Sequence, residues 1–161
     1  MMKRFFLLSL CCFVLVSCGS TKMEREAMQT FKGNWILTDI SYPNNSGFVD
    51  VKIFNDAPVN CFRNSTWHFV SNNNQGDYTL SGNDCPSGKQ NFTWNVVASE
   101  NNPSEYNLTL KPIGEDENSR RIDSGFRMTL SNLSQNKMTW RQTVQYEGEA
   151  FVIQMKFVKK Y

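Results

Sequence analysis

From Trp35 to Phe157 the apolar side chains of this chain recur at every second residue, the period of a strand buried on one face and wet on the other. Trp35 and Leu37 open the series, followed by Trp67 and Phe69, then Tyr78 and Leu80. Phe92, Trp94 and Val96 come next, then Tyr106, Leu108 and Leu110, then Phe126, Met128 and Leu130. The seventh run, Met138, Trp140, Val144 and Tyr146, is interrupted by Gln142. Phe151, Ile153, Met155 and Phe157 close the series. Turn-rich stretches such as Ser71 to Gly76 and Ser131 to Asn136 separate the runs. Eight short antiparallel strands with one apolar face make either a two-sheet sandwich or a closed up-and-down barrel. The expectation is an all-β fold over residues 33–161.

Ahead of the strands the pattern changes. Thr21 and Glu24 stand three apart, the spacing of a capping box, and Met23, Ala27 and Phe31 follow at helical intervals until Gly33. Residues 18–32 therefore read as a tether and a short N-terminal helix whose apolar face must rest on something larger. Before them, Lys3 and Arg4 precede the apolar run Phe5 to Val16, the layout of a secretory signal over residues 1–17. Leu15-Val16-Ser17-Cys18 resembles the bacterial lipobox. That resemblance implies cleavage before Cys18, acylation of Cys18, and a lipid-anchored envelope protein. Gly19, where a retention signal carries Asp, points to the outer membrane. Two or more acyl chains make a lasting anchor.

Without Lys3 and Arg4 the 17 basic residues fall to 15, equal to the 15 acidic ones. A balanced charge disfavours nucleic-acid binding, which rests on neutralising phosphates. A single histidine, His68, argues against His-based metal sites and Ser–His–Asp chemistry, and no Gly-rich phosphate loop or Cys-x-x-Cys is present. No cofactor, metal or catalytic set is expected. In an exported chain Cys61 and Cys85 most simply form a disulfide, with metal binding by two thiols as the rival. If residues 64–70 and 76–82 pair as a hairpin, the two cysteines lie nearly opposite just beyond its ends.

Gly33-Asn34-Trp35, placed at the first strand behind a short helix, resembles the G-x-W signature of the lipocalins. The stretch Cys61 to Phe69 is similar to that of lipocalin-like lipoproteins from Bacteroidota. The Thr-Asp-Tyr motif of many lipocalins is absent, and Ser131 to Asn136 stand in its place. The usual arginine that packs on the motif tryptophan has no clear equivalent, although Arg141 or Lys159 could reach Trp35. The resemblance implies an eight-stranded barrel, closed at one end, that holds a small apolar molecule. A barrel of this strand number admits one small ligand or is filled by its own side chains.

With the first strand starting at the closed end, Trp35, Phe69 and Trp140 read as core. Leu80, Phe92, Leu110, Phe126, Val144, Tyr146 and Phe151 lie nearer the mouth and are the candidate ligand contacts. The segment from Tyr42 to Asn60 is too apolar to be left in water. It reads as a lid with Phe48 and Phe54 facing in, or as an extra strand or helix on the barrel's outside. Asp39 falls on the inward face on strict alternation, either as an anchor for a ligand's polar end or as a sign of shifted register. Two functions follow: a lipid-anchored carrier or sensor of a small hydrophobic molecule, or an envelope module whose filled barrel binds protein or glycan through its loops.

Overall fold

Thr21 starts the first helix, α1 (Lys22–Phe31), through the expected capping box: its hydroxyl accepts from the Glu24 amide at 3.2 Å, and the Glu24 carboxylate accepts from the Thr21 amide at 2.7 Å. The computed structural model describes residues 21–43, 45, 51–114, 125–146 and 148–161. Among them α1 is followed by β1 (Gly33–Ser41), β2 (Lys52–Ile53), β3 (Ala57–Pro58) and α2 (Val59–Phe62). Then come β4 (Thr66–Val70), β5 (Gln75–Thr79), β6 (Lys89–Ala98), β7 (Tyr106–Pro112), β8 (Phe126–Ser131), β9 (Lys137–Tyr146) and β10 (Glu149–Lys160). Eight of these strands form one closed antiparallel barrel in the order β1-β10-β9-β8-β7-β6-β5-β4. Each strand pairs with its neighbour in sequence, and β10 returns to β1, so no ladder edge is left open. The barrel, not the sandwich, is the fold. β2 and β3 form a separate small hairpin.

The alternating rings converge on the barrel axis. Trp35, Trp67, Trp94 and Trp140 are all buried, together with Tyr78, Phe69, Phe92 and Phe157. Gly76 makes one of these placements possible. It pairs with Phe92 across β5 and β6, and a Cβ there would collide with the Phe92 ring and the His68 carbonyl. Trp67 faces Tyr78 across β4 and β5 in unbroken register. Beyond that ladder Cys61 and Cys85 form the disulfide, with Cα atoms 5.6 Å apart.

Helix α1 closes the lower end. Its buried face is Glu24, Ala27 and Phe31, whereas Met23, expected on that face, is exposed. Glu24 displaces it because its carboxylate also accepts the Ala98 amide at 3.0 Å, at the end of β6. Phe31 inserts its ring against Phe69, 4.4 Å away between centroids, and Trp94, 4.9 Å away. The chain then turns into β1 through Gly33 at φ +108°, a conformation that residues with a Cβ rarely adopt. Trp35 donates its indole N–H to the Phe31 carbonyl at 2.8 Å. Of the two cations that could reach its ring, Lys159 does so: its Nζ lies 4.3 Å from the ring centroid. The same ammonium donates to the Thr30 carbonyl at 2.9 Å and to the Lys32 carbonyl, so it also caps the C-terminus of α1. Burial pulls Lys159 below the usual lysine range.

Glu24 gives a pH signature. The amides of Thr21 and Ala98 hold its carboxyl below the ordinary value of 4.5. A carboxylate stabilised in the folded state contributes stability above its unfolded pKa and loses it as pH falls through the folded one. Glu24→Ala is expected to cost about 1–3 kcal/mol at pH 7, by removing a cap and leaving the Ala98 amide unpaired. In urea unfolding across pH, the gap between wild type and variant should be full at neutrality and narrow as pH falls below 4.5. A gap independent of pH would show that the carboxylate charge plays no part.

Asp39 corrects the strict alternation. The β1–β10 register slips between Leu37 and Asp39, a bulge that makes Ile40 the next inward residue and turns Asp39 out. There it pairs with Lys156 at 3.0 Å and Arg63 at 4.0 Å. An inward carboxylate would have lacked both partners, so the bulge avoids a buried unpaired charge.

Candidate functional site

The upper half of the barrel is where loop and wall meet. β4 and β5 are short, and residues 51–65 take the place of a longer strand beside β1. The Leu37 amide donates to the Ser65 carbonyl at 3.1 Å, and the Asn64 amide donates to the Leu37 carbonyl at 2.8 Å. Arg63 adds a bond from its guanidinium to the Ile40 carbonyl at 2.9 Å. Within this segment Ile53, Phe54, Ala57, Val59, Cys61 and Phe62 are all buried. The described part of the loop, residues 51–60, forms a small hairpin and the start of a helical turn, but its buried side chains join the barrel's core and do not pack on its outside.

Phe54 sits at the tip of that hairpin. Both Phe54 and Asn55 have left-handed backbones, at φ 57° and 55°, and the Asp56 amide closes the turn onto the Ile53 carbonyl at 3.1 Å. Asparagine tolerates this conformation, whereas a bulky side chain rarely does. Burial of its ring offsets the strain: Phe54 lies 5.1 Å from Phe126, 5.8 Å from Phe62 and 6.1 Å from Trp67, between ring centroids. The Tyr78 hydroxyl pins the turn by donating to the Asp56 carboxylate at 2.7 Å. Burial, reinforced by that carboxylate, pushes the Tyr78 phenol well above its usual value, so it acts only as a neutral donor. The disulfide and a bond from the Ser81 amide to the Cys61 carbonyl hold the segment's far end.

The candidate ligand contacts divide into three groups. Phe92 and Leu110 are fully buried, Phe92 among Trp67, Phe69 and Tyr78. The others border the cap or the edge of the core: Phe126 packs against Phe54 and is paired with Leu110, Phe151 lies against Tyr42 at 5.2 Å, and Val144 and Leu80 are half-buried. Phe48 and the side chain of Tyr146 lie outside the described residues. Tyr42, Phe62, Trp67 and Tyr78 were not among the candidates, although the alternation already placed Trp67 and Tyr78 on the inward face.

Two polar atoms stand out in this apolar interior. Trp35, Trp67 and Trp94 each donate their indole N–H, to Phe31, Ser65 and Gln75 respectively. The buried Nε1 of Trp140 has no acceptor. Two residues along β9, Gln142 is 7% exposed and its Oε1 has no donor. Gln142 is opposite Ile153, a buried inward residue, so it shares the inner face. An unpaired buried polar group costs about 1–3 kcal/mol. The interruption of the seventh apolar run was the signal for it.

The outer wall offers different chemistry. A shallow groove of about 540 Å³ crosses β7, β8 and β9 and is lined by Asn107, Thr109, Arg127, Thr129, Arg141 and Thr143. His68 is on the outer face, 3.3 Å from Asp77, which also meets Lys89 at 3.2 Å. Among the described residues no three His, Cys, Asp or Glu side chains converge, and no helix is long and apolar enough to cross a membrane.

Residues 31–140, more than half of the chain, match the family model for a lipocalin-like domain. The chain belongs to the lipocalin-like family. No curated protein and no solved structure matches it. Lipocalin-like barrels in general bind small hydrophobic ligands, and the family is typically one of binding proteins and not of enzymes. In this lipocalin-like barrel the G-x-W glycine makes the left-handed turn out of α1, and Lys159 takes the place of the arginine over Trp35.

Proposed function

We propose that this chain is a lipid-anchored protein of the bacterial envelope, tethered through Cys18, that binds a small hydrophobic molecule in the upper half of its barrel. The observation that carries the reading is the Phe54 cap. A loop residue in an unfavourable backbone conformation places its ring in an apolar space bounded by Phe62, Trp67 and Phe126. A ring on a hairpin can leave where a ring on a barrel strand cannot, and a flat or flexible apolar guest can stack on the rings that remain. Gly19 after the anchor cysteine supports an outer-membrane address.

A second reading has its own support. The lower half is packed ring on ring, with Phe31 and Phe69 in contact with each other and each with both Trp94 and Trp140. A barrel filled to the top in this way would be a scaffold whose loops or outer wall bind protein or glycan.

Mass spectrometry of small molecules released when the natively purified protein is denatured separates the two. A carrier releases a stoichiometric apolar compound, and a scaffold releases none. Cys18→Ser should move the protein from the membrane fraction to the soluble one, and unchanged partition would remove the anchor. Phe54→Ala should lower stability by about 3 kcal/mol, as for other buried phenylalanines. The same variant should bind the neutral probe N-phenyl-1-naphthylamine at least about tenfold more tightly, because wild type must first expel its own ring. Equal probe affinity would show that Phe54 does not occupy the guest's place.

A further inference from the structure

We infer that Trp140 and Gln142 form a two-point polar anchor inside the barrel, which selects a hydrophobic guest with an uncharged head that both donates and accepts a hydrogen bond, as an alcohol does. The inference rests on the ligand-binding reading above and names the class of molecule that site would take.

Each observation bears on one property of the guest. Trp140 offers a donor without an acceptor, and Gln142 an acceptor without a donor. Both are buried on the same face of β9, about 7 Å apart along the strand at its usual rise. Where the two side chains lean together so that Nε1 and Oε1 come within about 5.5 Å, a hydroxyl supplies the missing acceptor and the missing donor from one oxygen. Trp140 is part of the packed floor, and Gln142 is one inward position nearer the mouth, so the anchor sits at the upper boundary of the floor, facing the cap. The Trp140 ring is 5.3 Å from that of Trp67, which in turn contacts Phe54. A guest that replaces Phe54 and extends past Trp67 would bring its head to this level.

The charge of the head follows from the surroundings. Among the described residues the buried interior contains no Lys or Arg side chain. Lys156 and Arg63 pair with Asp39, which faces outward, and Arg141 pairs with Glu105 on the outer face. A carboxylate head would be a buried charge without a partner, which an apolar interior rejects. An alkane tail alone would leave both protein atoms unpaired. The preferred order is alcohol over carboxylate or alkane of equal length.

The test uses the full chain in both wild-type and Gln142→Leu forms, freed of bound small molecules, with 1-decanol, decanoate at pH 8 and decane as probes. Calorimetric titration gives the affinities, and the four indole N–H signals of ¹⁵N-labelled protein report the anchor directly. The expected result is decanol binding at least about tenfold tighter than decanoate, with a shift of the Trp140 indole signal. Gln142→Leu should reduce decanol affinity about tenfold and raise the unfolding midpoint of the empty protein, since an unpaired amide oxygen is removed from an apolar interior. Uptake of decanol and decanoate with equal affinity, or an unmoved Trp140 signal, overturns the anchor and leaves the hydrophobic carrier standing. A lowered midpoint with unchanged decanol affinity makes Gln142 a structural residue and also overturns it. Failure of wild type and Phe54→Ala alike to take up any of the three probes overturns both this inference and the carrier reading.

Discussion

Trp67→Ala is expected to remove about 4–5 kcal/mol of stability, a large share of the 5–15 kcal/mol typical of a folded domain. Trp67 is 1% exposed and sits where the two ends of the core meet. Its ring stacks on Tyr78 at 4.5 Å, meets Trp140 edge-on at 5.3 Å and Phe157 at 5.7 Å, and touches Phe54 and Phe62 from the cap. Its N–H donates to the Ser65 hydroxyl at 2.8 Å, and that hydroxyl donates to the Phe62 carbonyl at 2.5 Å. The backbone of a closed barrel cannot collapse to fill the space a lost indole leaves, so both the transfer cost and the cavity cost remain. Urea unfolding would measure the loss. Trp67→Phe separates its parts: it keeps most of the ring contacts, loses the bond to Ser65, and should cost less than half as much. A drop of 1 kcal/mol or less for the alanine variant would show that the interior repacks freely, contrary to a closed ring-filled core.

The second large effect concerns the disulfide. Replacing both Cys61 and Cys85 by serine should cost about 3 kcal/mol on the loop-entropy account, for a closed loop with a sequence separation of 24. That loop contains β4 and β5, and Cys61 lies in α2 at the end of the cap. The loss should therefore appear locally as well as globally. Hydrogen exchange should quicken at amides of residues 51–65, including those of Val59 and Asn64, more than in the long β9–β10 hairpin. Reductant should lower the wild-type midpoint to that of the double variant and leave the variant unmoved. A wild type indifferent to reductant under unfolding conditions would show that the bridge adds no stability.

How much of this was legible beforehand depends on the range of the interaction. The eight runs, the capping box and the disulfide partners are local or nearly local, since each rests on spacing along the chain or on a short hairpin. The same spacing misplaced Asp39, because a bulge at Leu37/Asp39 is a negotiation between β1 and β10, more than a hundred residues apart. It put Met23 on the buried face of α1, where the distant Ala98 amide instead drew Glu24 inward. Nor could spacing choose between Arg141 and Lys159 for Trp35, as both are many residues away in sequence and the choice waits on barrel closure.

The candidate site divides along the same line. Alternation alone placed Phe92, Leu110, Phe126, Val144 and Phe151 on the inward face, and Gln142 was visible as the break in its run. Their height near the mouth rested only on the direction of the first strand, since side-chain period does not encode the strand stagger that sets it. The inward turn of Phe54, held by Tyr78 through Asp56, and the unpaired Trp140 Nε1 and Gln142 Oε1 arise only when the wall closes around them. Residue order determined which faces would be apolar, because strand geometry repeats every two residues. Closure of the barrel decided what those faces enclose, because burial and hydrogen-bond satisfaction belong to the assembled whole.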